Sequence, residues 1–329
     1  MSKELWIFAE QNQNVIASSF FEILSKMKCV YAQASEKPCY TAVLFSDDSA
    51  LTEQLKESGV DKIITVQHEK LEEYNPVYYT AALYELAKEK QPETILIAAS
   101  AIGAEIAPGV SAKLDTGIVA HSADICLNEQ EELVMIVPAF GGKLMGEILV
   151  PKARPVMASI TLGVFERQEL TPAEQVEVCS FQPTGLDDLQ SGIELVEKTV
   201  IETAEIPVEE AEAVVCTGLG IGDEDNFEKA KEFARLLNAS LCYTRPIVDI
   251  GYMDNESAMV GTSGKMIRPK LYIGFGVSGA AHHVCGMKDS GLIININTNE
   301  NADIFKISNY KVVGDSGSML DELLKLLKA

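Results

Sequence analysis

Short apolar runs alternate with amphipathic stretches along most of the chain. Four runs bounded by polar or turn residues predict buried β-strands, at residues 5–9, 41–45, 62–66 and 94–98. Before the fourth run, Tyr79, Leu83, Leu86 and Ala87 follow the spacing of one helix face. Because strands alternate with helices over short connections, we expect a parallel sheet covered by helices.

The pattern changes between about residues 133 and 165. Prolines and glycines interrupt β-rich runs there, at Pro138, Gly141, Gly142, Pro151 and Pro155. This punctuation predicts added antiparallel strands or a loop excursion.

Residues 197–212 hold six Glu against one Lys and little apolar content, which favours a solvated linker over a recognition tail. The α/β pattern then restarts, with predicted strands at 213–216, 271–277, 292–296 and 310–313 and helices at 227–237 and 319–327. With 329 residues, we expect two α/β domains, 1–200 and 201–329, each with three layers and a mainly parallel sheet.

The charge balance narrows the possible partners. Lys and Arg number 27 against 49 Asp and Glu, a net charge of −22, which disfavours a nucleic-acid or anionic-membrane surface. No apolar run reaches membrane-spanning length and the N-terminus lacks a signal-peptide pattern, so we expect a cytoplasmic protein without membrane insertion. Seven scattered cysteines without a CxxC pair indicate reduced thiols, not disulfides or a metal site.

A glycine-rich turn follows the first strand of the second half. Gly218, Gly220 and Gly222 could let backbone amides approach a phosphate. However, the spacing is not GxGxxG, and Asp223 begins an acidic run that would repel a phosphate. A nucleotide site and a tight βα turn with acidic capping both remain open here.

Residues 271–283 combine a buried strand, a small-residue turn and a helix start. Ser278 and the helix amides could bind phosphate oxygens, and Gly279 allows close approach. His282 and His283 are adjacent and point about 100° apart on a helix, so only one can easily face a ligand. Packing or surface roles for both remain open.

Two further segments carry polar groups. Residues 261–265 resemble the end of a P-loop, but Met259 and Met266 stand where glycine and Ser/Thr are required, which leaves a hydroxyl-rich loop with Ser263. Arg245 follows a strand, where ligands bind in open α/β sheets, although a surface salt bridge is equally compatible. Without a GxSxG or HExxH motif, the sequence favours binding of a nucleotide-like cofactor over hydrolysis.

Taken together, these segments make the chain similar to the α subunit of the electron-transfer flavoproteins over nearly its whole length. The matching segments are 59–62, 102–103, 107–108, 113–117, 138–142, 151–155, 245–249, 260–265, 269–273, 276–279, 283, 286–290, 297, 304–305, 310 and 315. Their number and common order make this resemblance more specific than any single glycine motif.

The resemblance implies a Rossmann-like C-terminal domain that holds FAD and an N-terminal domain that docks a β subunit. Such proteins take electrons from acyl-CoA dehydrogenases or NADH and pass them to another flavoprotein, as carriers rather than classical enzymes. A simple carrier and an electron-bifurcating complex both remain open. An NAD-dependent dehydrogenase subunit is the alternative, and an AMP- or ATP-binding module is a weaker one.

The resemblance also implies roles for individual residues. It places Arg245 against the flavin ring, Ser263 near N5 and His283 near the O2 carbonyl. Thr244 and Ser278 would serve the pyrophosphate or ribityl chain. The full implied cofactor-binding set is Thr244, Arg245, Val260, Gly261, Thr262, Ser263, Ser278, Gly279, Ala280, Ala281, His282, His283, Asn297, Asp315 and Ser316, with the adenosine end at Asn297 and Asp315.

The chain departs from the family pattern at several of these positions. Leu219 and Gly109 stand where an arginine is usual, Thr262 and His282 where a glutamine is usual, Met259 where a polar residue is usual, and Ser263 where threonine is commoner. We therefore expect a divergent member of the family, from a specialised dehydrogenase system of an anaerobe.

Overall fold

The computed structural model describes residues 3–12, 14–140, 144–198, 206–209, 211–253 and 257–328. The chain folds into two compact units. The first comprises Met1–Ala139 and Met145–Thr199, and the second comprises Phe140–Leu144 and Val200–Ala329. Both units have α/β architecture with mainly parallel sheets, as predicted.

The first unit is built on a seven-stranded sheet in the order β12-β5-β4-β1-β6-β11-β7, with a three-stranded sheet β10-β9-β8 beside it. Its strands are β1 Glu4–Ala9, β2 Gln11–Asn12, β3 Val15–Ile16, β4 Cys39–Leu44, β5 Lys62–Val66, β6 Thr94–Ala98, β7 Ile118–Ser122, β8 Asp124–Leu127, β9 Leu133–Ala139, β10 Leu144–Leu149, β11 Val156–Ile160 and β12 Glu177–Phe181. Its helices are α1 Ser18–Val30, α2 Ser49–Lys56, α3 Pro76–Lys90 and α4 Ala101–Lys113.

Helices cover both faces of the seven-stranded sheet. Trp6 and Phe8 of β1 point into a core with α3 and α4, and the predicted helix stripe of Tyr79, Leu83, Leu86 and Ala87 lies in that core. The other face of β1 packs against α1. Since the strands β1, β4, β5 and β6 are buried on both faces, each forms a continuous apolar run, which explains why their positions could be predicted.

The region of prolines and glycines contains two kinds of strand. β9 pairs antiparallel with β8, which lies just before this region, so the first of the two open predictions, added antiparallel strands, is confirmed at β9. β11, however, pairs parallel with β6 and with β7 inside the seven-stranded sheet. All five of its residues are buried. Pro151 and Pro155 precede this strand and obscure its apolar run in the sequence.

The second unit is built on a five-stranded sheet in the order β14-β13-β15-β16-β17, in which every pair is parallel. Its strands are β13 Ala213–Thr217, β14 Ser240–Tyr243, β15 Leu271–Phe275, β16 Leu292–Asn297 and β17 Tyr310–Val313. Its helices are α5 Glu224–Leu236, α6 Arg245–Asp249, α7 Ala281–Met287 and α8 Ser316–Lys328.

The two faces of this sheet have separate cores. Val215 and Phe275 pack with residues of α5 and α8 on one face. Cys216 and Tyr272 lie in the core of the other face, together with Met287 of α7. Side chains that alternate along β13 and β15 therefore reach opposite layers, as the pleat of a strand requires.

In the part of the chain that is described, no helix is both long and apolar enough to cross a bilayer. The same residues contain no group of three or more His, Cys, Asp or Glu side chains placed to hold a metal ion. None of the seven cysteines, all of which lie among the described residues, forms a disulfide.

A half-buried carboxyl lies at the carboxyl end of β1, in the first unit. Glu10 directly follows β1, and Ser100 lies between the neighbouring strand β6 and α4. The Ser100 hydroxyl donates to Glu10 Oε2 at 2.5 Å and accepts from the Gly103 amide at the start of α4. Burial raises the pKa of Glu10 above 4.5, although the Ser100 hydrogen bond acts in the opposite direction.

We expect Glu10→Gln to change how stability depends on pH. Because the pKa of Glu10 is raised, its protonation stabilises the fold fully below pH 4.5, and this contribution is lost as the pH rises through the raised pKa. Gln stays uncharged, so the free energy of unfolding of the variant minus that of the wild type should grow as the pH rises above 4.5 and through the raised pKa of Glu10. The growth should be about 1.4 kcal/mol for each pKa unit of the shift.

Trp6, the single tryptophan, is buried in the first unit and reports its unfolding by fluorescence. Glu129→Gln, at an exposed position of the same unit, is the matched control and should show a constant difference. A pH-independent difference for Glu10→Gln would contradict the expectation.

Candidate functional site

The carboxyl ends of the five parallel strands of the second unit lie at one edge of its sheet. Every residue of the implied cofactor-binding set lies at the end of one of these strands or in a segment that follows one. Thr244 and Arg245 follow β14, residues 278–283 follow β15, Asn297 ends β16, and Asp315 follows β17. Residues 260–263 are tied to β14, because Met259 bridges Tyr243. Ligands of open α/β sheets bind at this edge.

The set divides by exposure. Eight residues are exposed, namely Arg245, Thr262, Ser263, Ser278, Ala280, Ala281, His282 and Asp315. Six are buried, namely Thr244, Val260, Gly261, Gly279, His283 and Ser316, and Asn297 is half-buried. The exposed members can contact a ligand directly. The buried members can affect a ligand only through the loops and turns that they hold in place.

The glycine-rich turn after β13 packs against the end of β15. The Gly220 amide donates to the Gly276 carbonyl at 3.0 Å, and a Cβ on Gly218 would lie 2.5 Å from that same oxygen. Asp223 caps α5 by accepting from the Asn226 amide. The glycines are thus explained by close packing of two turns, and the acidic residue by helix capping, as one of the two open interpretations held.

Two positive φ angles shape the turn after β15. Gly276 has φ +65°, which ends the strand at Phe275 instead of the predicted residue 277. Gly279 has φ +87°, and a Cβ there would lie 2.0 Å from the Ile304 amide nitrogen. Asn297 Nδ2 donates to the Val277 carbonyl at 2.8 Å. The conformations of the two glycines and the Asn297 hydrogen bond therefore fix the turn, in which Ser278 is exposed to solvent.

The loop 260–265 is tied to the first turn of α7. The Thr262 amide donates to the His282 carbonyl at 2.9 Å, and Thr262 Oγ1 lies 2.9 Å from His282 Nδ1. Gly261 has φ +145°, and a Cβ there would lie 2.8 Å from the His282 carbonyl oxygen. Two of the departures from the family pattern, Thr262 and His282, are therefore hydrogen-bonded to each other at the exposed edge.

His283 is held inside the unit, with only 5% of its surface exposed. Its Nδ1 lies 3.0 Å from the Val260 carbonyl oxygen, and its Nε2 lies 2.9 Å from the Tyr272 hydroxyl. Both ring nitrogens thus have protein partners. The predicted role of His283 at a flavin carbonyl would require one nitrogen to exchange its partner.

Two thiols lie next to this histidine. Cys216 Sγ is 3.8 Å from His283 Nε2, and Cys216 pairs in register with Cys242 of β14. Burial raises the pKa of Cys216, but Cys242 and His283 outweigh it and lower the pKa to about 5. Burial lowers the pKa of His283, but Cys216 outweighs it, so the net pKa is raised. The thiol and the imidazole therefore titrate as a coupled pair.

Arg245 and Asp315 differ in how far the fold occupies them. Arg245 Nε lies 3.7 Å from Asp249, with both side chains 60% exposed, so this ion pair is weak and leaves the guanidinium available. Asp315 accepts hydrogen bonds from the amide and hydroxyl of Ser318 in the first turn of α8, which lower the pKa of its carboxyl. A ligand at Asp315 would have to share an oxygen with this cap.

The donors at this edge fit the dinucleotide that the resemblance implies. The exposed groups are the hydroxyls of Thr262, Ser263 and Ser278, the His282 imidazole and the Arg245 guanidinium. All can donate to phosphate or carbonyl oxygens. Thr217, the last residue of β13, also has a buried hydroxyl without a hydrogen-bond partner among the described residues.

Sequence reasoning missed Tyr272 as part of this site. Its hydroxyl is fully buried, and burial raises the pKa of Tyr272 well above its usual value. The available signal was a polar group inside a predicted buried strand, which requires a partner. The sequence does not identify that partner as His283.

A separate cavity of about 680 Å³ lies in the first unit. It is lined at the amino ends of three neighbouring strands by Glu4, Thr94 and Val156, and by further charged residues of both signs. This is the edge of the sheet opposite to the one where open α/β sheets bind ligands.

Comparison with known families covers both units. Residues 5–185 match the electron transfer flavoprotein domain. Residues 207–288 match the electron transfer flavoprotein FAD-binding domain. The second match includes the segments after β14 and β15, whereas Asn297, Asp315 and Ser316 lie beyond it.

Individual relatives align with almost the entire chain. An electron transfer flavoprotein subunit alpha from Thermoanaerobacterium thermosaccharolyticum is 35% identical over 99% of this chain and 98% of its own length. The FixB protein of Clostridium saccharobutylicum is 34% identical over 99% and 96%. A subunit of the lactate dehydrogenase (NAD(+),ferredoxin) of Acetobacterium woodii, LctC, is 30% identical over 98% and 76%. The chain belongs to the electron-transfer flavoprotein α-subunit family.

Proposed function

We propose that this chain is the FAD-binding α subunit of a cytoplasmic heterodimer with an electron-transfer flavoprotein β subunit. The pair would carry electrons between an acyl-CoA dehydrogenase-type flavoenzyme, or NADH through the β subunit, and another flavoprotein. The carrying observation is the donor-lined carboxyl edge of the second sheet, whose segments after β14 and β15 fall inside the match to the FAD-binding domain. The relative LctC belongs to a lactate dehydrogenase that is named for both NAD(+) and ferredoxin. Two such different electron partners motivate an electron-bifurcating complex as one form of the proposed assembly.

We propose that the fifteen residues implied by the resemblance bind FAD, and that they fall into an exposed group and a buried group. Exposed hydroxyls on the loop and turn would hold the cofactor through direct hydrogen bonds, with Ser278 toward the pyrophosphate or ribityl chain. The buried Thr244 would lie toward the same part of the cofactor. Buried glycines keep the turns close enough to the ligand. Asn297 and Asp315 would lie at the adenosine end, where each already anchors a turn or a helix start.

When bound, an isoalloxazine ring supplies reversible one- and two-electron transfer. The contribution of this chain is electrostatic. The guanidinium of Arg245 can place a full positive charge where negative charge develops, because its bond to Asp249 is weak. Ser263 can donate a hydrogen bond from its exposed hydroxyl, and His282 can donate from the ring nitrogen that does not face Thr262.

The NAD-dependent dehydrogenase alternative relied on the glycine-rich turn after β13. Gly218 and Gly220 pack against Gly276, and Asp223 caps the following helix. These contacts account for the turn without a ligand, so no specific observation favours that alternative.

For the β subunit, we propose docking by residues 1–200. β10 is the edge strand of the three-stranded sheet, and its side chains are exposed although several are apolar. Met145, Ile148 and Leu149 are 53%, 39% and 44% exposed. An exposed apolar edge strand is a feature that a partner usually covers.

The purified heterodimer should carry flavin. Co-expression of this chain with its β subunit should give a complex with the visible absorption of FAD, quantified after release by denaturation. One FAD per heterodimer indicates a simple carrier, and two indicate a bifurcating one. A complex without any flavin absorption would overturn the proposed function.

Arg245→Ala should lower the flavin reduction potential more than it lowers FAD affinity. Many contacts hold a dinucleotide, but few touch the developing negative charge. Loss of one charged interaction of about 1.5–3 kcal/mol corresponds to a drop of about 30–60 mV for a two-electron couple, measured by spectroelectrochemical titration.

The matched control is Arg235→Ala, at an exposed position in the last turn of α5, which should leave the potential unchanged. Equal potentials for Arg245→Ala and the wild type would reject the role of Arg245.

Leu149→Asp should weaken association with the β subunit by at least about tenfold. A carboxylate in a buried apolar contact loses hydration without gaining a partner, which costs more than the about 1.4 kcal/mol that a tenfold change represents. Analytical ultracentrifugation of the heterodimer measures the effect. Val178→Asp on β12, 46% exposed at the edge of the larger sheet, is the control. An equal effect of both variants would contradict docking at β10.

A further inference from the structure

The loop 260–265, which carries Thr262 and Ser263, contacts a buried histidine. His283 and Val260 are both buried, and the ring nitrogen Nδ1 lies 3.0 Å from the Val260 carbonyl oxygen. A carbonyl oxygen only accepts hydrogen bonds, so Nδ1 must carry a proton. This holds whether the ring is neutral or cationic.

The other ring nitrogen has a different partner. Nε2 lies 2.9 Å from the hydroxyl of Tyr272, whose side chain is fully buried in β15. In the neutral ring Nε2 accepts from the phenol, and in the protonated ring it donates to it. The phenol can therefore hold the ring in either state, and it is the nearer of two partners of Nε2, since Cys216 Sγ lies 3.8 Å from the same nitrogen.

The loop has few other anchors to the helix that carries His283. The Thr262 amide bonds to the His282 carbonyl, and the Ile267 amide bonds to the Gly286 carbonyl. Both of these bonds end on the backbone of α7. Two further bonds between the loop and α7 involve side chains. Thr262 Oγ1 lies 2.9 Å from His282 Nδ1 at the exposed edge, whereas the bond from His283 to the Val260 carbonyl is buried.

We propose that Tyr272 is a positioning residue: through His283 and the Val260 carbonyl, it fixes the loop 260–265. This loop presents Thr262 and Ser263 at the carboxyl edge of the second unit's sheet. This inference rests on the proposed function in one respect, namely that the loop contacts the cofactor. The positioning itself concerns only residues of this chain.

Hydrogen exchange of backbone amides in the heterodimer tests the proposal. The reporters are the amides of Gly261, Thr262 and Gly264, which bond within the loop or to α7, and the amide of Lys265, which bonds to the Met259 carbonyl next to the loop. In Tyr272→Phe their exchange should be at least about tenfold faster, while amides of α5 keep their rates. Tyr79→Phe is the matched control, because it removes another buried tyrosine hydroxyl bond, in the first unit.

Two substitutions of His283 distinguish positioning from simple packing. Asn carries its side-chain N–H near the place of Nδ1, and Gln carries it near the place of Nε2. His283→Asn should retain loop protection within about threefold, whereas His283→Gln should lose it at least about tenfold. Equal rates in the two variants, or faster exchange throughout the second unit in Tyr272→Phe, would overturn the proposal.

A spectroscopic readout adds an independent criterion. In ¹⁵N-histidine spectra of the wild-type complex, the His283 resonance should show a protonated Nδ1, and Tyr272→Phe should shift Nε2 while Nδ1 stays protonated. A wild-type ring with bare Nδ1 would overturn the proposal. Neither measurement reads flavin, so a complex that lacks flavin but shows these results would refute the proposed function alone.

Discussion

The contact between Gly220 and Gly276 determines the shape of the carboxyl edge of the second unit's sheet, where the implied cofactor-binding residues lie. The backbones of two turns, one after β13 and one after β15, approach so closely that no side chain fits between them. Gly276 must also adopt a positive φ, which ends β15 and redirects the chain toward Ser278. A β-carbon at either position would push the two turns apart. The exposed hydroxyl of Ser278, in the turn after β15, would then lose its position at this edge.

Much of the architecture could be predicted from the sequence because buried parallel strands form continuous apolar runs. β11 was obscured by the prolines before it, although its own five residues are all buried. β12 lies at the sheet edge with mostly exposed residues, so it forms no apolar run. Pattern analysis therefore identifies central strands with clean boundaries and misses strands whose burial depends on their neighbours.

The candidate site divides in the same way. That Arg245, Ser278 and Asn297 follow strands is a local property of the sequence and could be predicted. The orientation of His283 depends on Tyr272, 11 residues earlier, and on Val260, 23 residues earlier. Such long-range partners are set by packing, so the sequence could name the histidine without showing that both its nitrogens face inward.

The exposed apolar strand β10 has a consequence for how the chain must be produced. A subunit synthesised in excess over its partner would display an uncovered strand edge, and such edges recruit chaperones or pair with one another. If the β subunit covers this edge, balanced synthesis of the two chains becomes a requirement for yield. Matched gene dosage would then protect the cell from aggregates of the surplus subunit.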